Sequence, residues 1–358
     1  MYQTQLKALK KSNRFRERVI FDESLIDFAS NDYLGLASDK KQLNSAISLL
    51  QEYKTIAPKA SMLVNGYHPI HKLFEDRLAS LNGFEDGLVV GSGFLANLSL
   101  IEALVRRGDR LFLDEEYHAS GVMASGLLGD RVVKFDHNSV DDLREKIDRY
   151  GGRRNIVAIE GIYSMSGELC SRDIIQVADS IGAILIVDEA HSSGVVGETL
   201  LGIFEHYDIA IKPNYIKMGT LGKAYGSYGA YILASSEIVS FLENRAKPII
   251  YSTAPSIFDI ALALVNIDHI VKKSHKYHKK ICKRLRIVQD IVGIESNSLI
   301  VPIEQSSNSK VVELQKELIS QGFLVGAIRQ PTVDKPIIRL IPRLGSSCRD
   351  LKKLLSYF

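Results

Sequence analysis

Cysteine is scarce in this chain of 358 residues. Its three cysteines, Cys170, Cys282 and Cys348, are odd in number, far apart and outside any C-x-x-C pattern. That argues against a disulfide framework or a zinc site and fits a reducing cytosol, so a cytoplasmic location is expected. The nine histidines are scattered without metal-ligand spacing, so no metal is expected. An excess of one charge is also missing: 45 Lys and Arg against 42 Asp and Glu leave a net +3, which excludes nucleic-acid binding driven by bulk charge. No apolar run approaches the ~18 residues of a membrane span, and Met1 to Arg18 is polar and basic without an apolar core, so neither a membrane anchor nor an export signal is expected. Internal repeats and low-complexity segments are absent as well.

What remains has the balance of an ordinary globular protein, 46% hydrophobic and 24% charged. At this length one large and one smaller lobe are expected. Gln3 to Arg18 reads as a basic helix or arm, followed by an extended piece at Leu25 to Ala29. Pro69 to Leu81 places Ile70, Leu73, Phe74, Leu78 and Leu81 on one helical face. Short apolar strands are predicted at 87–90, 110–113, 131–135, 155–160, 183–187, 215–218 and 228–234, with helices between several of them. The fold class is therefore α/β, a mostly parallel, helix-covered sheet over 65–235. After Ser236 the pattern changes to a long helix over 260–292, carrying eight lysines and arginines between Lys272 and Arg286, and then to a smaller α+β lobe. The domain bounds read as an arm at 1–35, a large domain at 36–258 and a small domain at 259–358.

The chemistry centres on Ile216 to Gly226, where Lys223 sits on a glycine-rich turn between two strands. Upstream, the continuously apolar run Ala183 to Val187 ends in Asp188-Glu189-Ala190-His191. A carboxylate at the carboxyl end of a buried parallel strand lies where open α/β sheets bind ligands. A lysine, an acid and a histidine in this arrangement suit pyridoxal 5'-phosphate (PLP), with the lysine as covalent anchor and the acid beside the pyridine nitrogen. The plainer alternative makes Lys223 a surface lysine and Asp188 a helix cap. A helicase-type nucleotide site is excluded, because the only Gly-Lys pair, Gly222-Lys223, lies downstream of the acidic box, is followed by Ala224, and has Lys217 where the first glycine of a phosphate loop belongs. The strand, glycine turn and helix start around Gly91-Ser92-Gly93-Phe94 form a plausible phosphate seat or simply a tight turn.

Eight motifs in order then resemble the α-oxoamine synthase family of fold-type I PLP enzymes. They are Ser-Asn-Asp-Tyr-Leu-Gly-Leu at 30–36, Ser-Gly-Phe-x-Ala-Asn at 92–97, His-Ala-Ser at 118–120 and Glu-Gly-Ile-Tyr-Ser-Met at 160–165. Val-Asp-Glu-Ala-His at 187–191, Thr-x-Gly-Lys at 220–223, Ile-Tyr-Ser-Thr at 250–253 and Arg-x-Pro-Thr-Val at 329–333 complete the set. The resemblance implies that Lys223 anchors PLP and then serves as base, Asp188 pairs with the pyridinium nitrogen, His191 reaches the phenolic oxygen and His118 stacks on the ring. It also implies that Gly93, Phe94 and Thr220 hold the phosphate, that Ser164 lies against the cofactor, and that Ser252 and Thr253 reach the phosphate of a second subunit, hence a homodimer with shared sites.

For substrates, the resemblance implies Thr332 and an N-terminal arginine, Arg14 or Arg16, of which Arg14 is taken, while Arg339 is assigned as a carboxylate clamp. The implied activity is the biotin-pathway one: condensation of L-alanine with a pimeloyl thioester, on CoA or on acyl carrier protein, with loss of CO2. The alternatives are a sibling activity (glycine C-acetyltransferase, 5-aminolevulinate synthase or serine palmitoyltransferase type) and a non-catalytic partner subunit, whose signature would be loss of the lysine that this chain retains. The basic stretch Lys272 to Arg286 is either a solvated helix face or a dock for an acidic carrier protein or CoA phosphates.

Overall fold

The structure, a computed structural model, describes residues 1–12 and 14–358. Its eleven strands are β1 (Ile26–Phe28), β2 (Asp86–Val90), β3 (Arg110–Asp114), β4 (Val132–Phe135), β5 (Asn155–Glu160), β6 (Ile184–Asp188), β7 (Tyr215–Thr220), β8 (Ala230–Ala234), β9 (Val301–Glu304), β10 (Phe323–Ile328) and β11 (Ile337–Leu340). They fall into two compact units. One comprises Leu34–Ser164 and Glu168–Lys279; the other comprises Met1–Tyr33, Met165–Gly167 and Lys280–Phe358.

The larger unit is built on a seven-stranded sheet in the order β2-β8-β7-β6-β5-β3-β4. Every neighbour pair is parallel except those of β8, which runs antiparallel to β2 and β7. Residues of β5 and β6 are apolar on both faces because helices cover the sheet on both sides. One face buries Ile156, Ala158, Ile186, Ile216 and Met218 in a core shared with helix Gly93–Leu104. On the strand period of two, Glu160, Asp188 and Thr220 continue that same face at the carboxyl ends of three adjacent strands. β4 pairs on one side of β3 and β5 on the other, so the connections reverse direction there. Such a switch point leaves a crevice at the strands' carboxyl ends.

The smaller unit contains a four-stranded sheet in the order β1-β10-β11-β9, with β1 parallel to β10 and the other pairs antiparallel. Phe28, Val301, Val325, Ile338 and Leu340 pack there against Leu351, Leu354 and Leu355 of helix Cys348–Leu355. Residues 1–33 belong to this unit through the β1 pairing, and the division falls inside helix Ile257–Val292 rather than before it. That helix is 36 residues long, three longer at its start than the sequence suggests.

The remaining differences are local. The N-terminal helix spans Gln3–Lys11 instead of reaching Arg18, and the expected stretch includes Asn13, which lies outside the described residues. β9 starts only at Val301, because Ser298 and Ile300 give their N–H groups to the hydroxyls of Ser296 and Ser298 instead of to a neighbouring strand. Helix Lys40–Leu50, capped by Asp39, and helix Ser236–Arg245, capped by Ser235, add to those expected. Among the described residues no helix is long and apolar enough to cross a membrane.

Candidate active site

Lys223 rides a turn that the backbone closes three times: Leu221 N–H donates to Gly229 O at 2.9 Å, Ser227 N–H to Leu221 O at 2.9 Å and Gly226 N–H to Lys223 O at 3.0 Å. Gly226 is in the left-handed region at φ 57°, and a Cβ there would fall 2.7 Å from Leu36 Cβ, so only glycine lets the turn close this tightly. The lysine is half-buried, and its Nζ lies 2.6 Å from His191 Nε2. The sequence suggested two partners for one ligand; the structure puts their nitrogens in contact.

Asp188 ends β6 and is 4% exposed. Its Oδ1 accepts from Ala190 N–H at 3.0 Å and its Oδ2 from the Asn97 side-chain amide at 2.8 Å, so two donors fix the orientation of the carboxyl group. Asn97 is nearly fully buried in helix Gly93–Leu104, and it extends the network by donating to Ser120 Oγ at 3.0 Å and accepting from the Tyr117 hydroxyl at 2.6 Å.

His118 caps helix Ala119–Ser125 with its ring, Nδ1 accepting from Ser120 N–H at 3.2 Å and lying 2.7 Å from Ser120 Oγ. A backbone N–H can only donate, so Nδ1 is an acceptor and the neutral ring carries its proton on Nε2. Burial of the ring, opposed by the Asp188 charge and reinforced by that of Lys223, holds His118 below the ordinary histidine range and so keeps it neutral. Asn97 and Ser120 thereby tie His118 to Asp188.

Ser92 Oγ caps helix Gly93–Leu104 by accepting from Leu95 N–H at 3.3 Å. A Cβ built on Gly93 would lie 3.9 Å from Thr220 Cβ, so the helix start and the end of β7 come together. Thr220 Oγ1 accepts from Gly222 N–H at 3.3 Å and donates to Gly229 O at 3.0 Å, leaving an oxygen lone pair but no free proton. Phe94 is exposed. Ser164 is buried, and its N–H donates to Glu160 Oε2 at 3.1 Å. Ser252 and Thr253 follow the short helix Lys247–Ile250, in a segment pinned by Ala254 N–H to Ala60 O at 3.0 Å and by His71 Nε2 to Pro255 O at 3.0 Å.

In the smaller unit, Arg14 and Thr332 line one cavity of about 250 Å³ together with Arg16, Arg329 and Gln330. Arg16 Nη2 donates to Thr332 Oγ1 at 3.2 Å. Both arginines considered from sequence therefore border the same space. Arg339 is 5% exposed, and its Nη1 donates to Asn31 Oδ1 at 2.9 Å, while Arg343, four residues later, is held by Asp27 and Asp32.

The donor set suits a ring-shaped carbonyl cofactor bearing an anionic tail. It offers an amine that can condense with a carbonyl, a buried carboxylate for a ring N–H, a neutral imidazole at the mouth, and helix-start N–H groups for the tail. Sequence reasoning quoted Asn97, Ser120 and Glu160 inside motifs but gave them no role. The one amide in the mostly apolar run Phe94 to Leu104, whose other polar residues are Ser99 and Glu102, was the available signal for Asn97.

A mainly parallel sheet whose strand ends gather this lysine, histidine and carboxylate is the framework of an aminotransferase-type enzyme. The chain belongs to the aminotransferase class I and II family, whose model matches residues 23–357. It is 43% identical over 358 residues to the 8-amino-7-oxononanoate synthase of Helicobacter pylori, covering 99% of this chain and 95% of that one. In fold it is similar to a high-resolution structure of SPT with PLP, at 22% identity and a TM-score of 0.89 over 99% of this chain and 94% of that one. It is likewise similar to the 8-amino-7-oxononanoate synthase of Francisella tularensis, at 24% identity and a TM-score of 0.79 over 94% of this chain and 97% of that one.

Proposed function

We propose that this chain is a PLP-dependent acyltransferase that makes 8-amino-7-oxononanoate in biotin biosynthesis. The net reaction joins L-alanine to a pimeloyl thioester and releases CO2 and the free thiol carrier. The single observation that carries this reading is the 43% identity to a protein of that name over 99% of the chain. The site supports it with Lys223 Nζ held 2.6 Å from His191 Nε2, on a sheet whose next strand end carries the doubly supported carboxylate of Asp188.

PLP bound at this site supplies an electron sink for the carbanion formed at the amino-acid Cα. Lys223 would hold the cofactor through its amine and, once the substrate's amino group has displaced that amine, would take the Cα proton at Nζ, with His191 Nε2 2.6 Å from that nitrogen. Asp188 keeps a ring nitrogen protonated by fixed charge in a buried setting. His118 stands at the mouth with its proton on Nε2 and excludes water. Gly93 and Phe94 receive the phosphate, together with Thr220 once its hydroxyl turns its proton from Gly229 O to the phosphate, beside Ser164, with Ser252 and Thr253 serving the site of a second subunit. Arg339 clamps the alanine carboxylate. The Arg14 cavity, with Arg16 and Thr332 on its wall, takes the distal carboxylate of the pimeloyl chain.

Two features support a homodimer. Leu63, Val64, Phe94, Met123, Leu127, Tyr228 and Tyr251 are large apolar side chains exposed in the larger unit, and Phe94 and Tyr251 belong to or flank the phosphate motifs. A cytoplasmic location fits the three free thiols, of which only Cys170 is buried. The exposed lysines of helix Ile257–Val292 suit either CoA phosphates or an acidic carrier protein as the thiol carrier.

The test is product formation. Purified protein with PLP should convert L-alanine and pimeloyl-CoA, or pimeloyl carrier protein, to a species with the mass of 8-amino-7-oxononanoate. Turnover confined to glycine with acetyl-CoA would move the assignment to a sibling activity. Sedimentation at micromolar concentration should give a dimer, and a stable monomer would end the shared-site reading.

A further inference from the structure

Glu160 is the last residue of β5 and stands in register with Asp188 on the adjacent parallel strand. Side chains at one register of parallel neighbours point to the same face, so two carboxyl groups share one buried corner. Glu160 is 1% exposed. Its Oε2 accepts from Ser164 N–H at 3.1 Å, whereas its Oε1, also out of contact with solvent, has no hydrogen-bond partner within the protein. Buried polar atoms are almost always satisfied, and the few that are not call for a ligand or a catalytic use.

The proton inventory of this corner is constrained. Two carboxylates side by side in a water-poor site do not both ionise. Asp188 receives two N–H donors and Glu160 only one, so the unused hydrogen-bonding capacity of the pair lies on Glu160. Burial, then the Asp188 charge, push the Glu160 carboxyl well above the usual range; the Lys223 charge and the Ser164 N–H act the other way, and Asp114 adds a further small push upward. Because Oε2 faces an N–H donor, the acid proton resides on Oε1. Glu160 thus ends in an O–H group aimed away from every protein acceptor, next to the carboxylate that the proposed function places against the cofactor ring.

We propose that Glu160 is a positioning residue of this site, whose Oε1–H donates a hydrogen bond to an acceptor oxygen of the ligand bound there. This rests on the functional reading above and adds a group to it. The acceptor is an anionic oxygen of either the cofactor or the amino-acid substrate. A neutral donor is suited to this corner, since it binds an anion without adding a second charge beside Asp188.

Glu160→Gln keeps a neutral donor of the same length, whereas Glu160→Leu removes it. Three readouts independent of turnover are compared: PLP affinity of the apoprotein by absorbance, L-alanine affinity of the loaded protein by the shift of the cofactor band, and the infrared carbonyl stretch of protonated carboxyls before and after PLP addition. The Leu variant should lose roughly ten-fold or more in one affinity, which identifies the acceptor as cofactor or substrate, and the Gln variant should stay within about three-fold of wild type. A protonated-carboxyl band should be present in wild type, move when the acceptor binds, and be missing from Glu160→Gln. Loss of both affinities to the same extent in Gln and Leu, or a wild-type carboxyl spectrum identical to that of Glu160→Gln, would overturn the proposal. Failure of wild type itself to bind PLP would instead overturn the functional reading, so the two failures are separable.

Discussion

Lys217 and Lys223 lie six residues apart, yet they occupy opposite kinds of environment. Lys217 points from β7 to the face away from Met218 and is completely buried. Its Nζ donates to Asn82 Oδ1 at 2.7 Å and to Leu201 O, with Glu189 Oε1 at 3.8 Å, and Glu189 in turn accepts from Ile203 N–H and the Ser192 hydroxyl. Every group there is used up inside the protein. On the other face Glu160 Oε1 has no protein partner, and Lys223 sits half-buried on a turn outside the strand. A buried charge with all its bonds made holds a fold together, whereas a polar corner with a bond left over is prepared for something else.

The contrast can be broken most sharply at Lys223. Lys223→Ala should lose turnover by on the order of 10²–10⁴-fold or more and abolish the bound-cofactor band, while unfolding stability changes little. Stability loss matching that of a core substitution would mean that Lys223 is structural after all.

At Lys217 the expected pattern is inverted. Lys217→Met should cost about 3–5 kcal/mol in denaturant unfolding, because Glu189 is left as an uncompensated buried charge, yet the folded fraction should still bind PLP. Adding Glu189→Gln should recover about 0.5–3 kcal/mol of that loss through the coupling of the pair. A double variant no better than the single one would remove the ion pair from the account.

Asn97→Ala sharpens the comparison from the site side. It strips donors from Asp188 and Ser120 together, so a cost of about 1–3 kcal/mol should appear as weaker PLP binding, with the His118 titration moving at the same time. Unchanged cofactor affinity would show that the Tyr117–Asn97–Asp188 network is only packing.

The smallest effect expected is a pH slope. His137 donates to Asp114 at 3.0 Å near Glu116 and Glu168, and its neighbouring carboxylates, working against burial, raise it to about 9. Between the ordinary 6.5 and 9 the folded protein binds a proton that the unfolded chain does not, so stability from this group is complete below 6.5 and is lost as pH rises through 9. His71, lowered by burial to about 4, donates from Nε2 to Pro255 O as a neutral ring, so its contribution is complete above 6.5 and is lost as pH falls through 4. Unfolding measured across pH should therefore flatten on the alkaline side in His137→Gln and on the acid side in His71→Gln. Identical slopes in wild type and variants would contradict both assignments.

Much of this framework was legible in sequence for a physical reason. β5 and β6 are continuous apolar runs because both faces are covered, and their polar ends mark the crevice without any knowledge of contacts. The adjacency of His191 and Lys223 was legible only as two motifs, since a turn and a strand end meet through the sheet order β6-β7. Glu160 and Asn97 escaped because their meaning depends on which bonds are already made, a property of the folded neighbourhood. Lys217 reads as an ordinary charged residue in a strand, and nothing local announces Asn82 or Leu201 as its partners. Helix Lys40–Leu50 has a modest apolar stripe, burying only Gln42, Ala46 and Leu50, so the Asp39 cap was its stronger signal.

The most direct test of the central claim is an absorbance titration of the purified protein with PLP, followed by L-alanine and then glycine, run beside Lys223→Ala. Wild type should develop a bound-cofactor band that shifts on adding L-alanine, and the variant should lack that band. A wild-type protein with no such band, or a Lys223→Ala variant with the wild-type spectrum and response, would contradict the account.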